Sequence, residues 1–507
     1  MKSHKIVNLN QLKKILHKNR LKVGLVHGVF DIVHVGHKRY FEEAKSWCDK
    51  LIVSITVDKF VNKGPSRPIF NERLRAEMLA SIEFIDYVVL SENETAVHVI
   101  NQIKPNLYIK GKDYKDLKGD LTKNIIKEKK AVEKNKGKIL FTENIQFSSS
   151  SIINNFYKPQ TILSEIKNLN LNASDLSKDC LKNLFKISTK KVAILGEIII
   201  DEYIFSKEMD KPSKENIHAV NFIKKETYQG GTLAIAKNLS QFCKKIDVFS
   251  SGAFTTEEKK FIKSIDNNHK NINTYIEKSK FQTIKKTRVL DENNRKIFEI
   301  YNKKGEKKYL LNRYLKNLIT KKFKKYDSVI ICDFGHGFLN EDIYNLVEKN
   351  SKKVSINVQT NSDNRGFNLV TKYKKANLVC IDEPEIRLAL SDRYSDFKIL
   401  AKKLYKKIKL NKLVITRGNA GISVFEFKKS SKIKEISFSA FELNPIDTIG
   451  AGDAVLGIVS LMNMKDIKLE VMAFCGNVFG ALATKYLGHS SYIKKNDVIK
   501  AITYSLK

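Results

Sequence analysis

The sequence predicts an α/β protein built from two doubly wound domains. Three observations predict it. Short apolar runs rich in β-branched residues alternate with segments of helical spacing along most of the chain. A chain of 507 residues is too long for one ordinary core. Two glycine-bearing segments lie beside such runs: "GVFDIVHVGH" (28–37) follows one, and "DTIGAGDAVLGIV" (447–459) opens another.

The elements follow in order. Residues 22–57 read strand, loop, helix, strand: the apolar "KVGLVHG", the helix-spaced "HKRYFEEAKSW" with charges on one face, and the β-branched "KLIVSITVD". That is a βαβ unit, which requires parallel pairing. Strands are expected again at "DYVVL", "NLYIKG" and "KILFTEN", with helices at "NERLRAEMLASI" and "AVHVINQI". This domain is expected over residues 1–155. Residues 156–188 lack strand signals and read as a helical linker. At 191 the run "KVAILGEIIID" opens a second, larger domain over 189–507, with strands at "SVIICD", "KVSINV", "ANLVCI" and "KLVITRG". The stretch from "IHAVNFIKKETY" through "QTIKKTRVL" to "RKIFEIYN" reads as hairpins forming a small β lid.

Composition excludes several classes. Hydrophobic residues make up 42% and charged residues 29%, which suits a globular chain rather than a disordered one. No apolar run reaches the length of a membrane span. The basic N-terminus lacks the apolar stretch of a signal peptide. Six scattered cysteines form no CxxC pair and read as reduced thiols of a cytoplasmic protein. The net charge of +37 invites a nucleic-acid reading. Only 12 of the 92 basic residues are Arg, however, and the lysines are spread along the whole length. Nucleic-acid readers favour Arg forks and interleaved aromatics. A nucleic-acid partner is therefore disfavoured.

"GVFDIVHVGH" sits where ligands bind in an open α/β sheet, beyond the carboxyl end of a strand. Gly28 lets the turn form and Gly36 lets a backbone approach a ligand closely. The helix that follows points its first amides at an anion. His34 and His37 can donate N–H bonds to phosphate oxygens. Zinc would need three or four ligands, and the loop offers no third His or Cys. In "DTIGAGDAVLGIV", Gly450, Ala451 and Gly452 open an apolar helix, and their amides form an anion hole. Asp453 follows at once. A carboxylate there can take the proton from a hydroxyl that attacks a phosphoryl group.

The first motif resembles the G-x-F-D-x-x-H-x-G-H signature of the cytidylyltransferase-like nucleotidyltransferases. "KGPSRPIFNERLRAEML", "IKGKDY" and "FSSSSIIN" also resemble that family's segments. The resemblance implies a Rossmann-like domain in which a sugar phosphate attacks the α-phosphorus of a nucleoside triphosphate. It implies His34 and His37 as catalytic residues. Gly28, Phe30, Asp31, Gly36, Arg67, Arg73, Lys110, Asp113, Ser148, Ser149 and Ser150 are implied at the nucleotide and phosphates. The second motif resembles the D-T-x-G-A-G-D signature of the ribokinase-like (PfkB) sugar kinases, supported by "QGGTLAIAKNLSQF", "CDFGHGFL", "TIKKTRVL" and "VITRGNAGI". It implies a kinase with a β lid and Asp453 as catalytic base. Thr416, Gly418, Gly450, Ala451, Gly452 and Asn477 are implied at the nucleotide. Asp201, Gly230, Gly231 and Arg288 are implied at the sugar, and Glu385 and Asp382 at the metal. Glu197, Ala234, "INVQ" and Asp382 stand where the heptose-kinase branch has other residues.

Together the two halves resemble the bifunctional heptose kinase/adenylyltransferases with the domain order reversed. The expectation is a cytoplasmic enzyme using ATP and Mg²⁺ to phosphorylate a sugar, a heptose phosphate in that family. It then converts the sugar 1-phosphate into a nucleotide sugar for surface polysaccharide. CTP is the alternative nucleotide for the N-terminal domain, in a polyol- or sugar-phosphate cytidylyltransferase fused to an unrelated kinase. A nucleic-acid binder with degenerate sites is the non-enzyme alternative. Partners are then a sugar phosphate and a nucleoside triphosphate, with no membrane, and a homodimer is compatible with this reading.

Overall fold

The computed structural model describes residues 4–16, 21–61, 67–112, 124–143, 161–209, 218–305, 309–428, 433–442, 445–464 and 466–506. The chain divides into two compact units, Met1–Ser174 with Ile499–Lys507, and Asp175–Val498.

In the first unit the β-branched runs form β1 (Val23–Gly28), β2 (Lys50–Thr56), β3 (Tyr87–Ser91), β4 (Leu107–Gly111) and β5 (Lys138–Thr142). They lie in the order β3-β2-β1-β4-β5, all parallel. Strands buried on both faces must be apolar throughout, and Leu25, Val26, Leu51, Ile52 and Val53 are fully buried. Helices such as Val35–Ser46 and Glu72–Ala80 cover them, with Phe41, Ala44, Ala76 and Leu79 in the core. The chain moves outward from β1 in both directions, so the switch point falls between β1 and β4. The 28–37 loop leaves the carboxyl end of β1 there.

Helices Thr161–Asn168 and Ala173–Ile187 occupy most of the stretch without strand signals. The second unit holds a large sheet of β6 (Lys191–Gly196), β9 (Lys245–Gly252), β10 (Ile272–Lys278), β13 (Ser328–Asp333), β14 (Val354–Val358), β15 (Lys375–Asp382), β16 (Lys409–Thr416), β17 (Ile422–Phe427) and β18 (Ile433–Phe438). Its order is β10-β9-β6-β13-β14-β15-β16-β17-β18, with β17 antiparallel to both of its neighbours. The switch point lies between β6 and β13.

The apolar run "KVAILGEIIID" supplies two strands. It breaks at Glu197 into β6 and β7 (Ile198–Glu208), and β7 leaves for a second sheet. That sheet has the order β12-β11-β7-β8, with β8 (Val220–Gly231), β11 (Thr283–Leu290) and β12 (Lys296–Lys304). The lid expected from the hairpins is this sheet, and its central strand β7 came from the apolar run. No helix among the described residues is long and apolar enough to cross a membrane. All six cysteines are buried, unbridged thiols.

Candidate functional site

Two histidines three apart cap the helix Val35–Ser46 and orient each other. The Gly36 N–H donates to His34 Nδ1 (3.1 Å), and the His34 N–H donates to His37 Nδ1 (3.4 Å). This is the reciprocal geometry of a capping box, built from imidazoles in place of a hydroxyl and a carboxylate. A ring nitrogen that accepts carries no proton, so each neutral ring keeps its proton on Nε2. The ring centroids are 4.1 Å apart. The pair can thus offer N–H donors to an anion at a helix start. Phe30, in the left-handed region at φ 50°, packs edge-on against His37. Strain of this kind at a non-glycine residue is characteristic of functional loops.

Asp31 anchors the next segment. Its Oδ1 accepts the N–H groups of Ile69 (2.8 Å) and Phe70 (3.1 Å), and Oδ2 lies 3.6 Å from Arg67. Lys110 is the penultimate residue of β4. Its ammonium lies 3.3 Å from the His27 carbonyl and 3.4 Å from Glu128. Burial and hydrogen bonds within the fold therefore engage Lys110. Arg73 lies apart, with its side chain 81% exposed and bonded to Glu77. Asp113, Ser148, Ser149 and Ser150 lie outside the described residues.

Sequence reasoning missed the arginine that builds this loop. Arg75 is 1% exposed and donates to the carbonyls of Val29 (2.6 Å), Thr56 (2.8 Å) and Phe70 (2.9 Å) and to Asp58 (2.5 Å). It ties the end of β2 and the 67–70 segment to the residue before Phe30. Arg75→Met strands these acceptors in the core and should cost about 3–5 kcal/mol. The chain's single Trp, Trp47, lies in this unit, so its fluorescence follows the unit's unfolding. The urea midpoint should fall by about 1 M or more. Arg73→Met should leave it unmoved. Equal midpoints for the two variants would contradict the assignment. His27 was also missed. It is buried in β1 between Ser54 Oγ (3.2 Å) and Thr56 Oγ1 (3.4 Å), and burial followed by Lys110 lowers its pKa to about 4. A neutral core histidine is its reading.

In the second unit a cavity of roughly 480 Å³ lies at the carboxyl ends of the strands, ample for a small ligand. Phe334, Asn357, Asp382 and Thr416 bring the ends of β13, β14, β15 and β16 to it. The structure brings together there Asp201, Gly231, Arg288, Asp382, Glu385, Thr416, Gly418, Gly450, Ala451, Gly452, Asp453 and Asn477. Arg288 donates to Asp201 Oδ1 at 2.6 Å. Gly230 is required by this pair, since a Cβ there would lie 1.8 Å from Asp201 Oδ2. The helix Ala451–Leu461 starts from Gly450 at φ 81°, where a Cβ would also strike the His489 ring. Asn477 donates to the Ser439 carbonyl at 2.6 Å.

The Asp453 carboxyl is pushed up to about 7, first by burial and then by Asp201, against the opposing pull of Lys286. Lys286 lines the same cavity and was missed. Burial lowers its pKa while Asp201 raises it. Asp382 caps the helix Glu383–Leu390 by accepting the Glu385 N–H (2.7 Å), and Glu385 accepts the N–H groups of Asp382 and Thr360. Burial and then Asp382 push Glu385 up to about 8. Crowded carboxyls of this kind favour a nearby cation. Among the described residues no group of three His, Cys, Asp or Glu is placed to cage a metal. This donor set suits a hard cation that arrives with a triphosphate and keeps most of its waters.

Glu197 has a structural explanation. Its buried carboxylate accepts the N–H groups of Phe334 (3.1 Å), His336 (3.3 Å) and Phe338 (3.4 Å). It thereby shapes the "DFGHGF" loop after β13. Burial and Asp333 push its pKa up to about 7.

A carboxylate that can take a proton, a helix start that can hold an anion and a lid sheet over the strand ends define a small-molecule kinase. The pfkB carbohydrate kinase family matches residues 189–496, and the cytidylyltransferase-like family matches 25–156. The chain belongs to the pfkB family, and it carries a cytidylyltransferase-like domain ahead of the kinase domain. The N-terminal region is similar to the "Bifunctional protein HldE" of Aliarcobacter butzleri, 46% identical over 115 residues, 22% of this chain and 24% of that one. The same-named protein of Campylobacter jejuni (strain RM1221) is 44% identical over 114 residues, 22% of this chain and 25% of that one. The match thus spans about a quarter of these relatives' length. Among solved structures, Arabidopsis thaliana ribokinase complexed with ribose and ATP aligns at TM-score 0.47 and 12% identity, over 63% of this chain and 99% of that one.

Proposed function

We propose that this chain phosphorylates a sugar and then transfers a nucleotidyl group to the sugar 1-phosphate it has made. The observation that carries the reading is the pairing, on one chain, of an imidazole pair at a helix start with a carboxylate at an anion hole. The sugar is a heptose phosphate that reacts at its anomeric hydroxyl, so the kinase product is a bisphosphate whose 1-phosphate is the nucleophile of the second step and whose other phosphate is left in place by this chain. The nucleotidyl group is AMP from ATP, and the product is a nucleotide sugar for surface polysaccharide. The enzyme works in the cytoplasm, with its activities in residues 1–155 and 189–507 joined by 156–188.

In the kinase half, Arg288 holds Asp201, whose carboxylate accepts a sugar hydroxyl. Asp453 takes the proton of the reacting hydroxyl as its oxygen attacks the γ-phosphorus and ADP leaves. The amides of Gly450 to Gly452 hold the transferring phosphoryl group. Thr416, Gly418 and Asn477 border the nucleotide. Mg²⁺ held near Asp382 and Glu385 would neutralise phosphate charge. In the transferase half an oxygen of the sugar 1-phosphate attacks the α-phosphorus of ATP and pyrophosphate leaves. That nucleophile is already anionic, so no base is needed. His34 and His37 donate through Nε2–H to the oxygens on which charge develops. Asp31 and Arg67 position the segment beside them.

Pyrophosphate release from a preformed sugar 1-phosphate, measured with ATP and with CTP, tests the nucleotide. The expected result is release with ATP at a kcat/KM at least about tenfold above that with CTP. A preference for CTP would replace this reading with a cytidylyltransferase.

A further inference from the structure

β12 makes three ion pairs that reach different parts of the second unit. At its start, Lys296 Nζ lies 2.5 Å from Asp447 Oδ1. In its middle, Glu299 lies 2.7 Å from Arg288 Nε, on the arginine that holds Asp201. Near its end, Lys303 pairs with Asp363. Asp363 sits in a segment whose Asn361 and Asn364 amides donate to the Phe334 carbonyl (2.8 and 3.0 Å).

The first of these pairs touches the anion hole. Asp447 is buried, and its carboxylate also accepts the N–H groups of Ile449 (3.1 Å) and Gly488 (2.8 Å). Ile449 precedes Gly450. Gly488 precedes His489, whose ring would be struck by a Cβ on Gly450 and whose Nε2 lies 3.6 Å from Asp201 Oδ2. One buried carboxylate thus gathers a lid lysine, the turn that starts the anion-hole helix, and the loop that bears His489. Glu299, on the same strand, is linked through Arg288 to the sugar-side carboxylate.

We propose that Lys296 is a positioning residue for phosphoryl transfer: through Asp447 it makes the placement of the Ile449–Gly452 amides depend on the lid sheet. It does not touch the reacting atoms. The proposal rests on the kinase reading above. When β12 is in place, Lys296 neutralises Asp447 and the turn is held. When the strand moves away, the buried carboxylate loses its cation and the turn loosens. A kinase built this way ties the placement of its anion-hole amides to the position of β12.

The test compares full-length wild type, Lys296→Met and Lys296→Arg by two measurements. The first is amide hydrogen exchange over residues 447–453, without substrate. The second is kcat and KM for sugar phosphorylation. Lys296→Met should exchange faster at 447–453 but not in β13–β16. Its kcat should fall by roughly ten- to a hundredfold, as expected when reacting groups are slightly misplaced. Both KM values should stay within about threefold, and Lys296→Arg should restore most of kcat. Unchanged exchange at 447–453 with kcat within about twofold of wild type would overturn the proposal. So would faster exchange spread evenly over β13–β16, which would mark a purely structural role. If wild type phosphorylates no sugar, the kinase reading fails, and the exchange comparison still decides whether Lys296 holds the turn.

Discussion

Asp453→Asn is expected to lower sugar phosphorylation by about 10²–10⁴-fold, the usual contribution of general-base catalysis. The amide keeps the shape and the hydrogen bonding but cannot accept the proton. ATP affinity should change little, because the amides of Gly450 to Gly452 are untouched. The pH dependence follows from the raised pKa. The carboxyl titrates at about 7, so the active, ionised form is lost as the pH falls below that value. Wild-type kcat/KM for the sugar should therefore rise about tenfold per unit from pH 5 to 6, then level off above 7. Asp453→Asn should show no such rise. A wild-type profile flat down to pH 5 would mean that Asp453 is not the base. Nucleotidyl transfer from a preformed sugar 1-phosphate should be the same in both proteins.

His34→Ala and His37→Ala are each expected to lower nucleotidyl transfer by at least about a hundredfold, the loss seen when a preorganised donor to a developing charge is removed. Kinase activity should persist. His34→Ala also removes a helix cap, worth about 1 kcal/mol, so Trp47 fluorescence must show a folded first unit before the rate is read. Metal analysis should find no stoichiometric zinc. Zinc bound by wild type and lost in the double variant would replace the phosphate cradle with a metal site. Nucleotidyl transfer within about threefold of wild type in either variant would remove that imidazole from the chemistry.

The five strands of the first sheet, the strands β6, β13, β14, β15 and β16 of the larger one and both glycine motifs were legible because they carry period and composition in short windows; β9, β10, β17 and β18, with polar residues among the apolar ones, were not. What was not legible depended on which way a side chain faces. Arg73 and Arg75 are two residues apart on one helix, about 200° around it. Sequence alone does not say which of them turns inward, and the inward one ties the end of β2 and the 67–70 segment to the residue before Phe30. His27 is hidden in an apolar run and Lys286 in a lysine-rich one, so neither stood out. The break at Glu197 falls inside continuous hydrophobicity. It is marked only by the three loop amides that the carboxylate accepts, contacts made with residues more than 130 positions away. The charge of +37 carried little functional information, since lysine is spread over both units.

One chain is proposed to perform two successive transfers on one sugar. The direct measurement is mass spectrometry of the purified protein incubated with ATP, Mg²⁺ and a set of sugar phosphates. One sugar phosphate should first gain a phosphoryl group and then an AMP group with release of pyrophosphate. Asp453→Asn should block the first product and therefore both, while His37→Ala should let the first accumulate. A nucleotide sugar formed only from an added 1-phosphate, with no sugar phosphorylated by wild type, would contradict the account.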